Sequence, residues 1–82
     1  MFSASAIKQL IEDSIPGAVA HVFDDANDGE HFRAEVVAAA FAGKPLPAQH
    51  RMVYAALGAR MGREIHALQL RTFTPEAYPG HT

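Results

Sequence analysis

Apolar residues first recur at Ile7, Leu10, Ile11 and Ile15, the spacing of one face of a helix. Ser3 or Ser5 can cap its start by accepting from a free backbone N–H, and Pro16-Gly17 ends it. Residues 18–24 carry Val19, Val22 and Phe23 between that Pro-Gly and a polar Asp-Asp-Ala-Asn-Asp-Gly run, which predicts a strand. His21 has the parity of Val19 and Phe23, so its imidazole is expected near the core. Residues 31–38 alternate more clearly, with Phe32, Ala34 and Val36 on one face and His31, Arg33 and Glu35 on the other. One face buried and one wet is the pattern of a half-exposed sheet. The connection over residues 25–29 is short enough for a hairpin, because Asn27-Asp28-Gly29 tolerates unusual backbone angles.

Two prolines in Gly43-Lys44-Pro45-Leu46-Pro47 exclude a strand centre or a helix interior there. A helix is predicted over residues 48–61, with Val53, Ala56, Leu57 and Met61 as its apolar stripe and Gly62 as a left-handed cap. Gly58 inside it costs about 1 kcal/mol relative to alanine. Residues 64–73 alternate again, with His66, Leu68, Leu70 and Thr72 on one face and Ile65, Ala67, Gln69, Arg71 and Phe73 on the other. Thr74-Pro75-Glu76 opens a brief last helix, with threonine as cap, and Pro79-Gly80 closes it. The order predicts an α/β (α+β) fold of KH-like type, α-β-β-α-β-α, with a three-stranded mixed sheet covered by helices on one face. The second strand, helix and third strand form the crossover that parallel pairing needs.

Composition narrows the class. A chain of 82 residues is expected to form one domain over residues 1–82, ending in a flexible 79–82 tail. Hydrophobic residues at 49% and charged residues at 20% indicate a globular chain. A net charge of −2 speaks against a protein that mainly wraps nucleic acid, although a local basic patch remains compatible with it. Cysteine is absent, which excludes disulfides, a cysteine nucleophile and an all-thiolate metal site within the chain. The amino-terminal stretch shows no signal, transit or membrane-spanning pattern, so a cytoplasmic location is expected.

The candidate chemistry lies in five histidines. His81 falls in the tail and is expected to be inert, and His50 starts the long helix beside Arg51. His66 opens the third strand and His31 the second. Neutral imidazoles bind metals, but a separation from residue 31 to residue 66 leaves any meeting of the two to the fold. No nucleophile–base–acid set and no phosphate-cradling glycine loop is present, so no enzyme activity is expected. Gly58 and Gly62 have three residues between them, so the GxxG clamp of nucleic-acid-binding KH domains is missing.

The segments Phe41-Ala42-Gly43-Lys44-Pro45-Leu46, Gln49-His50-Arg51-Met52-Val53-Tyr54, Ile65-His66-Ala67-Leu68 and Thr74-Pro75-Glu76 stand in that order. Together with Gly29-Glu30-His31-Phe32 they closely resemble the BolA family over residues 7–78. The resemblance implies a KH-like fold and partnership with a monothiol glutaredoxin, with a [2Fe–2S] cluster shared between the two. Glutaredoxin cysteine and glutathione would supply thiolates, and His66 of the Ile-His-Ala-Leu motif an imidazole. A second ligand commonly comes from the loop between the first two strands. Here residues 24–30 hold neither histidine nor cysteine; His31 at the loop's end is the nearest candidate, with Asp28 or coordination completed otherwise as the alternatives.

Without cysteine the isolated monomer is expected to hold no cluster, because iron–sulfur clusters are bound mostly by thiolates. A histidine-ligated cluster should weaken as pH falls through about 6–6.5, where imidazole protonates. The alternative reading is a DNA-binding transcriptional regulator using Lys44, His50, Arg51, Arg60, Arg63 and Arg71 as a basic surface, with binding that weakens steeply with salt. A third is an apo regulatory partner that docks on glutaredoxin without giving ligands. A homodimer is compatible with all three.

Overall fold

The computed structural model describes residues 2–79; His81 and most of the 79–82 tail lie outside them. The elements are α1 (Ala4–Ser14), β1 (Val19–Phe23), β2 (His31–Val37), a 3-10 turn (Ala39–Phe41), α2 (Leu46–Leu57), a second 3-10 turn (Gly58–Arg60), β3 (Ala67–Phe73) and a last 3-10 turn (Pro75–Ala77). The sheet runs β1-β2-β3, antiparallel in the first pair and parallel in the second. This is the mixed α+β arrangement the periodicity predicts. No helix among the described residues is long and apolar enough to cross a membrane.

Ser3 is the cap of α1, its hydroxyl accepting from the Ala6 N–H at 3.0 Å. Ile7 and Ile11 from α1 with its C-cap Ile15, Val53 and Leu57 from α2, and Phe32 and Val36 from β2 are buried in one cluster with Phe41 and Ile65. Both helices therefore cover the face of the sheet that carries the even-numbered β2 residues.

That choice of face corrects the expectation for β1. Antiparallel partners share a face, and Val36 and Ala34 pair with Ala20 and Val22. Ala18 and Ala20 are therefore the buried residues, while Val19 and Phe23 are 46% and 39% exposed. His21 lies on the uncovered face, stacked on Tyr78 with ring centres 5.6 Å apart. Val19, His21 and Phe23 share the open face, and Ala18, Ala20 and Val22 the helix-covered one.

Three boundaries also differ from the sequence expectation. α2 begins at Leu46, because Pro47 fits the first turn, where an N–H would be unpaired anyway. It ends at Gly58, which is its C-cap with φ +58° and ψ −136° and not an interior residue. No atom lies within 4 Å of a Cβ placed there, so any penalty comes from the backbone alone. Gly58→Ala should destabilise the fold by about 1–3 kcal/mol in urea denaturation. β3 starts at Ala67, so Ile65 does not sit on the sheet's open face; it turns into the core and is fully buried. The last helix is a single 3-10 turn, and Thr74 makes no side-chain capping bond to it.

Candidate metal centre

The β1–β2 hairpin is built by its own aspartates. Asp24 accepts from the Asp28 and Gly29 N–H groups at 3.2 and 2.9 Å, while Asn27 and Gly29 take positive φ. Asp28 Oδ1 in turn accepts from the N–H groups of Glu30 and His31 at 2.9 and 3.0 Å. These bonds fix the chain as it enters β2 and hold His31 at the strand's first position.

The chain entering β3 arrives at the same place. The N–H groups of His66 and Ala67 both donate to the Glu30 carbonyl, at 2.9 and 3.2 Å. His31 and His66 thereby come together at one end of the sheet, with ring centres 6.3 Å apart and planes at 77°. Strand parity predicts opposite faces for them. The prediction fails because His66 precedes β3 and is not bound by the alternation of its side chains.

Each imidazole has a carboxylate beside Nδ1. His31 Nδ1 lies 2.7 Å from Asp28 Oδ2, and His66 Nδ1 lies 3.5 Å from Glu30 Oε1. This leaves Nε2 of each ring as the nitrogen open to a metal, with a carboxylate orienting the ring from behind. Both side chains are about half exposed, at 58% and 52%. Among the described residues, the possible ligand atoms that lie within 4.8 Å of one another belong to Asp28, Glu30 and His31, and His66 adjoins this group through Glu30. Asp28 already engages both oxygens, so it acts as the partner of His31. Glu30, which the sequence reading did not single out, stands beside His66; only its place next to His31 could have suggested it.

Electrostatics follow from these contacts. Two backbone N–H groups and His31 hold the Asp28 carboxyl well below the usual carboxylate range. The hydrogen bond and charge of Asp28 raise the pKa of His31 above its ordinary 6.5. The raised His31 value makes its contribution to stability full below about 6.5 and lost as pH rises through the folded-state pKa. The lowered Asp28 value makes its contribution present above about 4 and lost in acid. Asp28→Asn keeps an Oδ1 acceptor for the Glu30 and His31 N–H groups, but puts an uncharged NH2 in place of the Oδ2 that faces His31 Nδ1. Its destabilisation, measured by urea denaturation, should therefore be larger near pH 5.5 than near pH 9, because the imidazolium charge is lost as pH rises. Equal destabilisation at both pH values would contradict the ion pair.

The basic residues are not gathered in one patch. Lys44 and His50 lie near the start of α2, Arg51 is exposed on the helix, and Arg60 and Arg63 follow its end. Arg71 is on the uncovered sheet face over the Phe73 ring at 5.4 Å. Arg60 instead lies over Phe2 at 6.0 Å.

The donor set suits a shared iron–sulfur cluster. Two imidazoles can serve one iron, but the remaining ligands are normally thiolates and this chain has no cysteine. They would have to come from another molecule, and the half-exposed rings are open to one.

The family model of BolA-like proteins matches residues 6–77. The chain belongs to the BolA family. A BolA homologue from Coxiella burnetii superposes with a TM-score of 0.82 at 39% identity, covering 95% of this chain and 97% of that one. BolA1 from Arabidopsis thaliana gives 0.78 at 28% identity, over 93% of this chain and 95% of that one. The DNA-binding transcriptional regulator BolA of Escherichia coli is 28% identical over 90% of this chain and 81% of its own length. Within this BolA-family fold the hairpin–β3 junction holds the paired histidines, and the Ile-His-Ala-Leu segment supplies both a core residue, Ile65, and His66.

Proposed function

We propose that this BolA-family protein is the imidazole-donating partner of a monothiol glutaredoxin, sharing a glutathione-assisted [2Fe–2S] cluster in iron–sulfur trafficking or iron and redox regulation. The observation that carries this reading is the meeting of His31 and His66 at an open sheet end, each with a carboxylate behind Nδ1. In the shared complex His66 is the first protein ligand and His31 the second. Asp28 and Glu30 orient them. The cluster supplies electron-accepting iron, and glutaredoxin cysteine and glutathione supply the thiolates. The role is that of a cytoplasmic partner, not a catalyst.

The test is visible absorption and circular dichroism of this protein mixed with a cluster-bearing, glutathione-loaded monothiol glutaredoxin. A spectrum different from that of the glutaredoxin alone is expected. An unchanged spectrum at saturating protein removes the proposal.

DNA binding is the second reading, favoured by the absence of any acidic residue from 36 to 63, where Lys44, Arg51, Arg60 and Arg63 fall. The division of these cations between the two ends of α2 and the missing GxxG clamp rank it lower. Steeply salt-dependent retardation of duplex DNA would support it.

A further inference from the structure

The two edges of the sheet end differently. At the β1 edge the outward peptide groups of Ala20 are taken: its N–H donates to Glu12 Oε2 at 3.0 Å, and its carbonyl accepts from Lys8 Nζ at 3.0 Å. Lys8 and Glu12 are themselves paired at 2.6 Å. Side chains from α1 thus close that edge to another strand.

Among the described residues nothing comparable closes β3. Ala67 donates to the Glu30 carbonyl and Phe73 accepts from the Ala38 N–H. With the register His31↔Ala67 to Val37↔Phe73, the parallel ladder uses the odd-numbered residues of β3. The peptide groups of Leu68, Leu70 and Thr72 therefore point away from β2, and among the described residues they have no backbone partner. Beside them is a shallow cavity of about 190 Å³, lined by Leu46, His50, Leu70, Arg71, Thr72 and Phe73. Leu46 is 59% exposed, the most exposed of the large hydrophobic residues.

Charge selects the occupant. Between residues 36 and 75 the only acidic side chain is Glu64, whereas Lys44, Arg51, Arg60, Arg63 and Arg71 all fall there. In a chain of net charge −2, the cations nearest the strip are Arg71 on β3 and Lys44 before the start of α2, while Arg60 and Arg63 follow the other end of that helix. A symmetric pairing of β3 with a second copy would set Arg71 and its cationic flank against themselves. Nucleic acid would answer the charge but not the row of N–H and C=O groups with a two-residue period.

The geometry points to the outer edge of β3 as a docking strip for an extended acidic segment of a partner protein, added as a fourth strand. Main-chain hydrogen bonds to Leu68, Leu70 and Thr72 supply the pairing. Alternate apolar side chains of the segment enter the depression beside Leu46 and Leu70, and the carboxylates between them fall on the sheet face that carries Arg71. This strip is separate from the paired histidines, so both can be occupied together.

The test uses the full chain and an acetylated, amidated Glu-Val-Glu-Val-Glu-Val peptide, followed by amide hydrogen exchange. The amides of Leu68, Leu70 and Thr72 should gain at least about tenfold protection, while those of Gln69 and Arg71, already bonded to β2, change little. Methylating the peptide nitrogens that face β3 should weaken binding at least about tenfold. Arg71→Glu should weaken it as well. Several outcomes would overturn the proposal: no protection with peptide at about 1 mM, equal binding of the methylated peptide, or the same protection from oligo-dT. Protection that grows with protein concentration in the absence of peptide would assign the edge to a second copy and overturn it too.

Discussion

Replacing His66 with alanine should abolish the new visible circular dichroism of the mixed complex, returning the spectrum of the glutaredoxin alone, while leaving the fold of this protein intact. His66 is half exposed, and beside the edge-on His31 ring its side chain makes one long polar contact, 3.5 Å to Glu30. The backbone N–H that ties it to Glu30 survives the substitution. Exposed sites of this kind change stability by no more than about 0.5 kcal/mol, so loss of the spectrum reports a lost ligand and not a lost fold. His66→Cys sharpens the test. A thiolate is the usual iron ligand, so this variant should regain a cluster, with a shifted spectrum. His31→Ala should weaken the signal, because His31 faces the same site. If His66→Ala leaves the spectrum unchanged, the ligand assignment is wrong. If the two proteins still associate without any cluster, the chain is an apo partner.

Phe41→Ala should cause the largest loss of stability, about 3–5 kcal/mol. Phe41 is fully buried and is the largest such side chain in the core. It belongs to the 3-10 turn between β2 and α2, where main-chain and side-chain packing meet. The Gln49 amide donates to the carbonyls of Phe41 and Lys44 at 3.3 and 2.8 Å, and Thr72 donates to Gln49 at 2.7 Å. That network holds the turn in place, so it cannot collapse to fill the space a benzyl group leaves. Against a total stability of about 5–15 kcal/mol, the melting temperature should fall by roughly 15–30 °C. Leu46→Ala, at an exposed position, serves as the control and should shift stability by less than about 0.5 kcal/mol. A loss below about 1 kcal/mol for Phe41→Ala would show that the turn repacks.

The candidate site was only partly legible in the sequence. His66 entered through its motif, and His31 through its place at the end of the hairpin loop. Their meeting was not legible, because alternation along residues 64–73 assigns His66 to the strand's inner face. The chain departs from strand geometry before Ala67, since Ile65 is drawn into the core and His66 is held by the Glu30 carbonyl. Asp28 entered as an alternative second ligand from the loop. Its role as orienting carboxylate depends on hydrogen bonds that only the folded hairpin makes.

By itself the sequence determined the order of elements, the sheet-forming alternation of β2, the apolar faces of both helices and the lack of any thiolate ligand in this chain. These follow from local periodicity, backbone stereochemistry and residue inventory, none of which requires distant segments to be placed. Only the tertiary structure decided which face of β1 is covered, that His31 and His66 stand side by side, and that α1 seals one sheet edge while the other stays open. Each depends on which segments meet, and many arrangements of a chain share one pattern of apolar and polar positions. Packing the isoleucines of α1 against Ala20 and Val36 selects one of them. The register of β2 and β3 then brings the two imidazoles together.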